Sequence, residues 1–509
     1  MKVKLASLIL ALWPSLCFAE PLSAIDWLNE KRKQQKSLAT KPLKNQNDGQ
    51  SLVQHEIEVT PLADMRLDAV GLLSPEMTGM PITLWQDSDS KDLIDLLEEL
   101  PPLTNPILQS LLFRLMLAEG YAPTQAAQDN SFLKARLTVL MSYGAVEPAL
   151  ALLERAAPLP APLVPTLFEL SLMSENLTPA CEQVLDLGPH YPNDADRIFC
   201  HARKGDWMTA DLMLQTATGL GALSPIEKRL LVKFLDAVEE EEEVAILPPP
   251  SHPSPLIVTL YEAIGEPLAA GQLPPAFETV NLTGDHGWKN QLHAAERLKK
   301  SGALADNRFL GILTEQAPAA SGGVWDRVAF VQDFEAAVLD NDDDALSHLL
   351  NQLWTNPVLA PLRGPISRLF ADKLFLMPLQ GAAKIQAQRM GLLTESFHNN
   401  AKKIDVAGET LTLEKAIALS QLKDEGAKDF EARELLNAFH AVPAPPAIKR
   451  LVSERKLGEA ILHAIGLFHR GSQGNLNDLI NAVAAFRYMG LGETAQRAVL
   501  YKLILEPET

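Results

Sequence analysis

One spacing rule recurs four times in this chain: a Gly or Asp, an Ala five residues on, an aliphatic residue four further, and in two copies another Ala three after that. The copies are Gly144/Ala149/Leu153/Ala156, Gly205/Ala210/Leu214/Ala217, Asp340/Ala345/Leu349/Gln352 and Gly490/Ala495/Val499/Lys502. Small residues at these offsets let two antiparallel helices approach closely, and hairpins of that kind stack into extended arrays. The surrounding sequence agrees. Leu93, Leu96, Leu97 and Leu100 share one helical face, as do Leu108, Leu111, Leu112, Leu115 and Met116. Prolines such as Pro101, Pro102, Pro106, Pro123, Pro158 and Pro179 fall mostly between these stretches, and no set of alternating runs supports a large sheet. The expected fold is mainly α, made of irregular helical-hairpin repeats in an α-solenoid-like array with a short extended N-terminal arm.

Aligning residues 457–466 with 491–500 gives a separation of 34, with Leu457/Leu491, Gly458/Gly492, Glu459/Glu493 and Ala464/Ala498 identical. That is the tetratricopeptide period. Phe486, Gly490, Ala495 and Val499 also keep the spacing by which that family sets an aromatic and a Gly on its first helix and small and larger apolar residues on its second. The chain thus resembles a degenerate tetratricopeptide-like α-solenoid, though the Trp-x-x-Leu-Gly opening is missing and Gly144 and Gly205 stand closer than two full periods. The resemblance implies a concave face offered to a peptide or partner protein, an implication drawn from fold and not from a site.

Residues 1–19 read as a secretory signal. Lys2 and Lys4 precede an apolar run from Leu5 to Leu12, and Cys17-Phe18-Ala19 places small residues where a signal peptidase cuts, between Ala19 and Glu20. The run is shorter than the roughly 20 residues that span a bilayer, and Pro14 interrupts it. A lipoprotein reading of Cys17 fails on Leu16. With no later uninterrupted apolar stretch, the mature chain is expected to be periplasmic or secreted, with no integral membrane segment. Removing residues 1–19 takes away two lysines and no acid, which makes the formal charge of −19 two units more negative. Such a surface disfavours nucleic acid and anionic lipid, and admits a basic protein or simply confers solubility.

Cys17 leaves with the signal, so Cys181 and Cys200 remain as an even pair for an oxidising compartment. Thr178-Pro179-Ala180-Cys181 looks like a helix start, the Gly188 to Asp194 stretch is a strong turn, and Cys200 falls on the next helix. A disulfide there would staple a hairpin and contribute on the order of 3 kcal/mol by chain entropy.

Composition divides the rest. Residues 20–54 form a flexible linker, because the polar 31–51 stretch cannot offset its ordering entropy by burial; Ile25, Trp27 and Leu28 mark a short amphipathic segment before it. Residues 55–86, opening with the strand-like His55-Glu56-Ile57-Glu58-Val59, are an arm expected to lie on the helical body with Trp85 buried. Residues 87–240 and 256–509 are two helical-repeat regions, separated at 241–255 by a glutamate run that begins at Glu239 and by the prolines from Pro248 to Pro255.

No catalytic constellation stands beside this architecture. Ser453-Glu454-Arg455-Lys456 has a Ser-x-x-Lys spacing without its companion motifs. Gly471-Ser472-Gln473-Gly474 has no preceding strand and reads as an interhelical loop. His286 with His293, and His463 with His469, lack neighbours at ligand spacing. The acidic Asp340 to Asp344 run lacks the Gly and terminal Glu of a calcium loop and reads as a helix cap. No cofactor or metal is expected. A lysozyme-like segment of the kind an envelope lytic transglycosylase would carry is not found. The leading expectation is an exported scaffold or adaptor that binds another envelope or secreted protein without catalysis. The alternatives are a cell-envelope hydrolase with an unrecognised carboxylate site and a helical container for an apolar ligand.

Overall fold

The computed structural model describes residues 66–505 except 126–129, 175, 236–247, 249, 269–272, 283–286, 405–408 and 422–429. The signal segment with Ala19 and Glu20, the 20–54 linker, the His55–Val59 strand, the glutamate run and His286 therefore lie outside the described residues. Leu62–Thr509 forms one compact unit. Among its described residues there is no strand, only the isolated bridges Leu73 to Ala118 and Asp89 to Thr124, and the fold is mainly α with helices packed on their neighbours in the chain.

The repeated Gly has a direct conformational cause. Gly144, Gly205 and Gly490 have φ of 81°, 85° and 79°, the left-handed region that L side chains avoid. Each follows a helix and lets the next amide reach back to close it: Ala145 N–H donates to Leu140 O at 2.9 Å, Asp206 to His201 O at 2.9 Å and Leu491 to Phe486 O at 2.7 Å. The small and aliphatic partners Ala149, Leu153, Ala210, Leu214, Ala495 and Val499 are all buried on the helix that follows.

The third copy stands one residue later than the spacing indicates. Asp340 ends the Val324–Asp340 helix, and Asn341 is the left-handed residue at φ 52°, with Asp342 N–H donating to Ala337 O at 3.0 Å. Counted from Asn341, the contact positions become Leu346, Leu350 and Leu353, each fully buried, whereas Ala345 and Gln352 are only half-buried. The same closure occurs at Arg455 (φ 62°), where Lys456 N–H donates to Leu451 O at 2.9 Å, and Ala460 and Ala464 then pack inside.

Apolar side chains collect into three cores. One spans Val164 to Tyr261 and a second Leu292 to Met390. The helix Pro255–Ala263, expected to open the C-terminal region, lies in the first of these with Phe168 and Leu231. The third core joins chain regions far apart in sequence, combining Met80 to Met173 with Leu392 to Ile504.

This last core closes the chain on itself. Residues 66–86 carry the 3-10 turn Leu67–Ala69 and the single turn Pro75–Thr78, then bury Leu84 and Trp85 completely. Trp85 meets Phe132 edge-on at 5.2 Å and brings its Cζ3 and Cε3 atoms against Gly458, whose N–H donates to Leu84 O at 3.1 Å. Asn105 Nδ2 donates to Ala498 O at 3.0 Å across the same seam. Beneath the segment, the fully buried Arg136 donates to the carbonyls of Met116 (2.7 Å), Val70 (2.8 Å), Ala118 (3.1 Å) and Asp68 (3.3 Å). Burial lowers its pKa to about 10, with Asp68 opposing, so it stays charged at neutral pH.

Candidate binding groove

The first repeat copy borders a groove of about 670 Å³. Its wall begins at Gly144, where a Cβ would come within 2.5 Å of Leu298 Cδ2, so the turn and the Trp288–Lys300 helix are packed as tightly as a glycine allows. The helix Val146–Arg155 then divides its faces. Ala149 and Leu152 are buried away from the groove, Val146 and Leu153 are buried yet border it, and Glu147, Leu150 and Glu154, at helical spacing, line it with more exposed side chains. Half-buried Leu159, Leu167 and Leu282 continue the apolar surface.

Polar groups at the base are committed internally. Thr279 Oγ1 lies 2.6 Å from both Met173 O and Ala276 O, and Ser174 Oγ donates to Ser171 O at 3.1 Å. At the rim Arg308 stands 3.7 Å from Glu147, an exposed pair that screening makes weak. The groove thus offers an apolar floor and a charged rim, with side chains from the 146–187 helices on one side and from the 279–308 region on the other.

A disulfide backs one wall. Cys181 and Cys200 are bonded, with Cα atoms 5.2 Å apart, joining Thr178–Leu187 to Asp194–Arg203. Pro179, Ala180 and Gln183 of the first of these helices line the groove, while Cys181 and Val184 face the core. The bond is consistent with an oxidising compartment. In the same hairpin Asp196 is buried, accepts from Tyr191 Oη at 2.7 Å and from Asn193 Nδ2 at 3.1 Å, and has its pKa raised to about 7. Burial is the main cause; the Tyr191 hydrogen bond opposes it, and the charges of Glu169 and Glu227 reinforce it.

The remaining residues singled out by sequence lie elsewhere. Ser453 Oγ donates to Arg450 O of its own helix at 2.7 Å, and Lys456 Nζ lies 3.9 Å from Glu454 and 3.8 Å from Glu459. Gly471 lies against the Leu479 backbone where two helices cross, and Gly474 forms the following left-handed turn. Asp342 caps Asp343–Thr355, accepting from Ala345 N–H at 2.9 Å. His293 and His463 are exposed on separate helices, and His469 contacts Gln473 at 2.9 Å. Among the described residues no group of three His, Cys, Asp or Glu side chains is placed to hold a metal ion, and no helix is long and apolar enough to cross a membrane.

The sequence reading missed Arg136, whose signal was a cation between the apolar Leu133 and Leu137, on the buried face of the helix, whereas Lys134 beside it is not buried. It also missed the far groove wall at Leu282, Leu298 and Arg308, which nothing local could pair with Leu150. Comparison of the chain with known protein families, curated proteins and solved structures gives no match.

Proposed function

We propose that this chain is an exported, non-catalytic helical-repeat protein of the tetratricopeptide-like kind, which binds an apolar segment of another cell-envelope protein in the groove beside its first repeat copy. The observation that carries the reading is the groove itself: about 670 Å³ of open space floored by Leu150, Leu159, Leu167 and Leu282 and rimmed by Glu147, Glu154 and Arg308. An apolar floor accepts alternate or i, i+3, i+4 side chains of a bound segment, and charged rims set its direction. The signal-like first 19 residues and the Cys181–Cys200 bond support an extracytoplasmic setting.

The test is a photo-crosslinking amino acid placed at Leu150 in the native host, with the same probe at exposed Asp340 as reference. The expected result is one reproducible protein adduct at position 150 that disappears when Leu167→Asp is added. Adducts no stronger at 150 than at 340 would refute the assignment of this groove.

A further inference from the structure

A second cleft, of about 440 Å³, opens where Pro106–Leu117, Trp288–Lys300, Ala360–Leu374 and Gly492–Leu505 converge. In a chain this acidic its lining is unexpected: Arg297, Lys299, Lys300, Arg363 and Arg368 against one carboxylate, Glu296. Part of that charge is compensated close by. Glu296 is held by Arg327, and Arg297 by the buried Glu278. Asp306, however, serves two cations at once, Arg368 through Nε and Nη2 at 2.7 and 2.8 Å and Lys299 at 2.8 Å.

Among the described residues Arg363 meets no carboxylate. Its Nε and Nη2 donate to Leu353 O and Trp354 O, both at 2.9 Å, and its guanidinium stacks on Trp354 at 5.5 Å. Lys300 is exposed at the mouth, and the Gln109 amide fixes the backbone there by donating to Lys300 O at 3.0 Å. Arg368 Nη1 is buried, with Tyr501 5.9 Å beneath the guanidinium and its hydroxyl supporting the charge, while Nη1 makes no hydrogen bond of normal geometry among the described residues. A buried charged donor left unmade costs free energy that an arriving acceptor recovers.

We propose that this cleft binds a phosphate group, presented on a small ester or a lipid headgroup. A phosphate monoester carries nearly two negative charges and three acceptor oxygens, which matches cations approaching from separate helices; a carboxylate brings one charge and two oxygens. The overall negative charge does not prevent this, because salt screens it beyond about 8 Å while the cleft cations act within contact range.

The test is calorimetric titration of the full chain with glycerol 3-phosphate, inorganic pyrophosphate and, at matched ionic strength, acetate, together with flotation on vesicles containing phosphatidate. Expected are saturable binding of a phosphate probe, none of acetate, and about a tenfold loss of affinity in Arg363→Gln and in Lys300→Gln. Because Arg363 also braces helix ends, Lys300→Gln, whose side chain bonds to none of the described residues, separates binding from folding. Binding in solution assigns a free ester and binding only to vesicles assigns a headgroup; both sustain the site. Absence of binding to every phosphate probe, equal binding of acetate, or binding unchanged in Lys300→Gln would overturn it.

Discussion

Gly458→Ala tests the closure of the chain on itself. Gly458 is the second residue of Leu457–Ser472, and a Cβ there would stand 2.3 and 2.4 Å from Trp85 Cζ3 and Cε3 and 3.0 Å from Leu84 O. Neither neighbour can yield cheaply. The Trp85 ring is fully buried against Phe132, and the Leu84 carbonyl accepts the Gly458 N–H itself, so relief requires the whole 80–88 segment to move. Overpacking of this kind costs about 1–3 kcal/mol. Against it stands a gain in helix propensity of at most about 1 kcal/mol for Gly to Ala. The structure supplies its own control in Gly492, also near a helix start, where the nearest atom to an added Cβ is 4.0 Å away. Urea unfolding followed by far-ultraviolet circular dichroism should show Gly458→Ala destabilised by about 1–2 kcal/mol and Gly492→Ala unchanged or slightly stabilised. Adding Trp85→Leu should recover part of the Gly458→Ala loss, because the clash is with the indole ring and not with the helix. Equal stability of the two alanine variants would refute the seam.

Two further outcomes follow from buried charge. Arg136→Met leaves four carbonyl groups without their donor and should lower stability by at least about 3 kcal/mol in the same unfolding experiment, with Arg136→Lys recovering only part of it; a loss under about 1 kcal/mol would contradict the bracing role. Asp196 has a native pKa near 7 against 3.8 ordinarily, so the native state holds its proton more tightly than the unfolded chain, and its contribution to stability is full below about pH 4 and lost as pH rises through 7. The shift corresponds to at most on the order of 4 kcal/mol; Asp196→Asn should flatten stability between pH 4 and 7.5, and an unaltered pH profile would exclude Asp196 as its source.

What the sequence disclosed, and what it hid, follow from the range over which each cause acts. The hairpin turns were legible because a left-handed residue and its contact positions lie within a dozen residues, so Gly144, Gly205 and Gly490 advertise themselves. The same physics concealed the turns at Asn341 and Arg455, where the backbone adopts the same conformation without the residue that marks it. The disulfide was legible for a related reason, since only two cysteines remained and a single turn brought them together. The seam was not. Trp85 and Gly458 are separated by most of the chain, and the small residue that admits the ring looks in sequence like another repeat position: Gly458 aligned with Gly492, yet one is pressed by an indole and the other is nearly open. The groove shares that limit, because Leu150 and Leu282 become neighbours only after the intervening helices have packed. A spacing rule therefore reports how each hairpin closes. The surfaces that face a ligand are set by contacts between hairpins, which is why the repeat copies border the groove at Gly144 and Leu153 but do not supply the residues opposite.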